Sequence, residues 1–188
     1  MNTNTQTHVL NGLDLEQLQA LGESVATAPA RGRLGFFTTT TWTGALSSQT
    51  RVVQAELGGE RMIRDHTFVA DEPVDLLGHD LGPNPQELLM GAIAACMTVG
   101  YAANASAMGI ALESLEIRMY GAIDLRGFFG LDPEVRPGMP SLESEVRVKA
   151  DATPAQLQAL HDRVLSLSPN LDHLTRAVPA HVQLIVEG

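Results

Sequence analysis

The feature that most constrains this chain is the run Pro83-Asn84-Pro85-Gln86-Glu87-Leu88-Leu89-Met90-Gly91-Ala92-Ile93-Ala94-Ala95-Cys96, a complete helix-start signal that leads into an apolar stretch carrying the only cysteine. Asn84 stands where an N-cap belongs. Pro85 fills the first helical position, where no amide hydrogen is needed, and Glu87 follows Asn84 at the spacing of a capping box. The apolar stretch runs on to Ala103, interrupted only by Thr98. The pattern predicts a buried helix from Pro85 to about residue 107, ended by Gly109. It is too short and too rich in Ala and Gly for a comfortable membrane span.

The rest of the chain must cover that helix. With 188 residues, 44% of them hydrophobic, there is enough apolar material for one core, read as a single domain over residues 31–188 behind an amphipathic helical extension in residues 1–30. A net charge of −10, with twelve scattered basic residues, excludes a nucleic-acid interface. A single cysteine excludes an intrachain disulfide. The first ten residues hold no basic and apolar leader, so the expected compartment is the cytoplasm, with no membrane partner. His8, His66, His79, His161, His173 and His181 are dispersed with no pair at ligand spacing, so no metal and no cofactor is expected.

Hydrophobic periodicity orders the remaining elements. Leu15, Leu18, Leu21 and Val25 recur at helical spacing over residues 14–26, and Pro29 closes that helix. Alternating apolar and polar residues, broken at Gly44 and at Gly58-Gly59, predict antiparallel strands near 34–43, 49–57 and 61–70. Strands are also expected over 112–124, 142–150 and 178–186. Residues 127–140 are too dense in Gly and Pro for either regular element. Thr153-Pro154 opens a helix to about residue 167, and Ser168-Pro169 opens a short second one.

Asp71-Glu72-Pro73, Gly82 to Leu89 and Ala94-Ala95-Cys96-Met97, taken in order, resemble the first-cysteine helix of the OsmC/Ohr family, the osmotically inducible and organic hydroperoxide resistance proteins. Gly121 to Asp132, Val148 to Asp151 and Arg163 to Pro169 are similar to a subgroup of OsmC-like proteins. The resemblance implies an α+β fold, with antiparallel sheets wrapping long central helices in an intertwined homodimer. It also implies a role in oxidative stress defence, in which a cysteine on the central helix reduces organic hydroperoxides and a second, late cysteine resolves the resulting sulfenic acid. The first cysteine corresponds to Cys96. The position of the second is Ser168, whose hydroxyl cannot form a disulfide, so regeneration requires an external thiol reductant. The family's activating glutamate falls at Gln86, with Glu87 one residue later and about 100° around the helix. Its arginine falls near Arg51.

Two functions fit this pattern. In the first, the chain is a one-cysteine, thiol-dependent hydroperoxide reductase with Cys96, Arg51 and Glu87 as candidate catalytic residues. In the second, it is a non-catalytic dimer that binds a small hydrophobic ligand, with Cys96 as packing, Glu87 as a cap and Ser168 as the N-cap of the last short helix. His79, in the loop before the helix, could approach Cys96 or simply face solvent. The Gly127-Phe128-Phe129-Gly130 loop is suited to lining an apolar pocket or closing a dimer interface.

Overall fold

The computed structural model describes residues 8–176 and 178–187. Its centre is helix α2, Pro85–Ala107, preceded in chain order by strands β1 (Val9–Leu10) and β2 (Leu13–Asp14), helix α1 (Leu15–Thr27) and strands β3 (Leu34–Gly44), β4 (Ser47–Leu57) and β5 (Glu60–Ala70). After it come β6 (Leu112–Gly121), α3 (Leu125–Phe128), β7 (Leu142–Ala150), α4 (Pro154–Leu167) and α5 (Pro169–Thr175). β3, β4 and β5 form one antiparallel sheet, with Thr39 opposite Arg51 and Arg51 opposite Thr67. β6 and β7 form a second, with Ile117 opposite Val146.

Helix α2 begins as its sequence demands. Asn84 Oδ1 accepts the Glu87 amide at 2.9 Å, Glu87 Oε2 accepts the Asn84 amide at 2.9 Å, and Pro85 takes the first turn. Burial is one-sided, however. Ile93, Met97, Tyr101 and Ala105, each four residues from the next, form a stripe covered by Leu160 and Val164 of α4 and by the inward residues of β6 and β7. Burying each large side chain of this kind contributes roughly 1.5–3 kcal/mol. Leu89, one turn before Ile93, and Val99, on another face, remain 43% and 70% exposed, so a helix apolar all round is only half covered by its own chain. By length and composition α2 could cross a bilayer, but here it is the core helix of the domain.

Two features depart from expectation. Residues 178–187 form no strand and lie exposed, with Val182 95% accessible. At the other end, Asn11 and Gly12 take left-handed angles, φ 51° and 78°, and turn β1 back onto β2 in the two-residue hairpin that Asn-Gly favours. That signal was present in the sequence, but strands of two residues carry no alternation to accompany it.

Asn11 also clamps this hairpin to the end of α2. Its amide donates to Ser106 Oγ at 3.0 Å and to the Ile110 carbonyl at 2.9 Å, and its oxygen accepts the Leu112 amide at 2.8 Å. Asn11→Ala removes all three bonds and leaves a Cβ-bearing residue without local compensation at positive φ. The expected loss is roughly 2–4 kcal/mol, read as a lower urea midpoint at unchanged m-value.

Candidate active site around Cys96

Cys96 lies on the face of α2 that meets α5. Ala92 and Cys96, four residues apart, point the same way, and two residues from the start of α5 meet them. Asn170 donates from Nδ2 to the Ala92 carbonyl at 2.9 Å, and Ser168 Oγ lies 3.5 Å from Cys96 Sγ. Cys96 is partly exposed and forms no disulfide, while Ser168 is only 7% exposed. Leu89 and Val99, seven residues before Cys96 and three after, share its face. Both are exposed, which the sequence pattern hid, since almost every position near them is apolar.

The path of the chain explains this meeting. Pro169 cannot continue α4, so Ser168 ends that helix and starts the next, accepting the Leu171 amide at 3.4 Å. Because Leu160 and Val164 dock α4 onto α2, the turn at Ser168 arrives beside Cys96.

The other candidates fall elsewhere within one chain. Glu87 is held in the capping box, nine residues and about 13 Å of helix before Cys96. Arg51 is exposed at the middle of the β3–β5 sheet, and that sheet is not part of the core around α2. His79 lines an open cavity of about 470 Å³ with Thr43, Gly44, Ala45, Ser47 and Leu81, away from the cysteine. Phe128 and Phe129 stack edge to face, their centroids 5.1 Å apart, and both are exposed at the end of α3, where Arg126 bridges Asp124 and Asp132. Hydrogen bonding to Arg126 keeps the Asp124 carboxyl below the usual range, yet such exposed pairs contribute little stability. Among the described residues no group of three or more His, Cys, Asp or Glu could hold a metal ion.

With this geometry in place, the comparison with known proteins is direct: residues 78–183, which include both Cys96 and Ser168, match the family model described as OsmC-like protein. The chain belongs to the OsmC-like family. No curated protein matches it in sequence. Among solved structures, an OsmC-like protein from Mycoplasma pneumoniae is similar at TM-score 0.60 and 14% identity, over 76% of this chain and 88% of that one. An OsmC-like protein of unknown function from Vibrio cholerae gives TM-score 0.51 and 13% identity, over 73% and 91%. An organic hydroperoxide resistance protein from Elizabethkingia anophelis gives 0.50 and 17%, over 76% and 88%. At such identities the likeness is one of fold. The α+β architecture with antiparallel sheets is that of OsmC-like structures.

The loop that leads into the cysteine helix of this OsmC-like chain is organised by one carboxylate. Asp71 is fully buried and accepts the amides of Glu72 at 2.9 Å, His79 at 3.0 Å and Leu81 at 3.3 Å. Burial by itself would raise its pKa. The amides of His79, Glu72 and Leu81 outweigh that and hold the carboxyl below the usual range. A carboxyl depressed in the folded state contributes stability that is complete above its unfolded value of about 3.9 and is lost as pH falls through the folded value. Asp71→Asn should therefore lower Tm at pH 7, with the gap to wild type narrowing below about pH 4 in a calorimetric pH series.

Proposed function

We propose that this OsmC-like chain is a one-cysteine, thiol-dependent reductase of small organic hydroperoxides, acting in oxidative stress defence as a soluble cytoplasmic homodimer. The observation that carries this reading is the partly exposed Cys96 on the central helix, approached over Leu89 and Val99 and faced by Ser168 at 3.5 Å. The likeness to an organic hydroperoxide resistance protein supports the choice of substrate. Cys96 serves as the nucleophile, the apolar face receives the organic part of the hydroperoxide, and an external thiol returns the sulfur to its reduced state.

Dimer formation is supported by what one copy leaves uncovered. Phe36 and Ile63 of the β3–β5 sheet are 76% and 86% exposed, and Trp42, Val99 and the apolar residues of 178–187 are also open to solvent. Arg51 then acts from the partner's sheet, stabilising charge near the sulfur. Glu87 contributes by capping the helix that carries Cys96.

A second reading is favoured by the distance of Glu87 and Arg51 from Cys96 within one chain: the same apolar face binds a small hydrophobic ligand, and Cys96 is packing. Turnover separates the two. With excess dithiothreitol, wild type should consume cumene hydroperoxide, Cys96→Ser should fall to the uncatalysed rate, and Arg51→Leu should lose on the order of a hundredfold in kcat/KM. A wild-type rate no higher than that of Cys96→Ser would sink the reductase reading. Sedimentation of a monomer at micromolar concentration would sink the dimer.

A further inference from the structure

Ser168 Oγ has one proton and two lone pairs. One lone pair receives the Leu171 amide, and among the described residues the only other polar partner of this oxygen is Cys96 Sγ, at 3.5 Å. An ionised sulfur has no proton to give, so the proton between the two atoms is then that of the serine. At 7% exposure the hydroxyl is shielded from competing water, and the neighbouring Asn170 to Ala92 bond keeps the start of α5 seated on α2.

We propose, resting on the reductase reading above, that Ser168 is a catalytic hydrogen-bond donor to Cys96: it holds the sulfur as nucleophile and, after oxidation, keeps it as a sulfenic acid for an external thiol. In the first step the thiolate attacks the terminal peroxide oxygen. The S–O bond forms, the O–O bond breaks, sulfur gives two electrons to the peroxide, and the alkoxide takes a proton from solvent and leaves as the alcohol. The sulfenic oxygen then becomes the acceptor for the Ser168 proton. One external thiol forms an S–S bond to Cys96 with loss of water, and a second releases the Cys96 thiol and the external disulfide. A residue that can donate but cannot form a disulfide suits a sulfur discharged from outside.

Three variants test this with peroxide-free readouts. Ser168→Gly removes the hydroxyl while leaving a tolerated N-cap, and Ser168→Thr keeps both the hydroxyl and the cap. At pH 7, Cys96 in Ser168→Gly should react with iodoacetamide about tenfold more slowly than in wild type, the effect of losing one hydrogen bond to a charged group, and Ser168→Thr should restore the rate. Ser168→Cys, oxidised with diamide, should lose both thiols to an intrachain disulfide. Equal alkylation of Ser168→Gly and wild type, or retention of both thiols in Ser168→Cys, overturns the proposal. Both expected results without hydroperoxide turnover in wild type overturn the reductase reading alone and leave the serine-to-sulfur donation standing.

Discussion

The docking of α4 onto α2 is the contact on which the rest of this molecule depends. Ile93, Met97, Tyr101 and Ala105 make a stripe one residue wide on α2, and Leu160 and Val164 close over it with almost no remaining exposure. Gly100 lets the helices approach, since a Cβ there would lie 3.2 Å from Val164 Cγ1. Tyr101 carries its hydroxyl into this seam, where it pairs with His161 Nδ1 rather than being left unsatisfied, and burial pushes its pKa up. The inward residues of β6 and β7 close the other side of the same core.

The site inherits its geometry from that contact. The last turn of α4 ends at Ser168 because Pro169 cannot follow in the same helix, and the α2–α4 seam decides where that end falls. Cys96 and Ser168 are 72 residues apart in sequence, yet their side chains meet at 3.5 Å. The position that the family resemblance assigns to a second cysteine is thus occupied by an oxygen at hydrogen-bonding range of the Cys96 sulfur. At the other end of α2, Asp71 and the Asn84–Glu87 box fix how the chain enters the helix.

Local signals account for most of the elements. The capping boxes at Asn84 and Thr153, the prolines that follow them, and the alternation in β3, β4, β5 and β7 are properties of a few neighbouring residues, so they are visible without tertiary information. The strand expected over 178–186 is absent for the opposite reason: alternation gives a segment one apolar face but does not bring it to a partner edge, and residues 178–187 pair with none of the sheets. The short hairpin at Asn11 has little local signature, because its importance lies in bonds to Ser106, Ile110 and Leu112, about a hundred residues away.

By itself, then, the sequence determined where the central helix begins, that Cys96 rides on it, that Ser168 caps α5, and which family the chain resembles. These depend on backbone donors, proline geometry and residue order. Only the tertiary structure decided that Ser168 faces Cys96, that Leu89 and Val99 lie open beside it, and that Glu87 and Arg51 sit apart from it within one chain. A helix that is apolar on every side does not reveal which of its faces its own chain will cover. That choice is made by the packing of α4, β6 and β7.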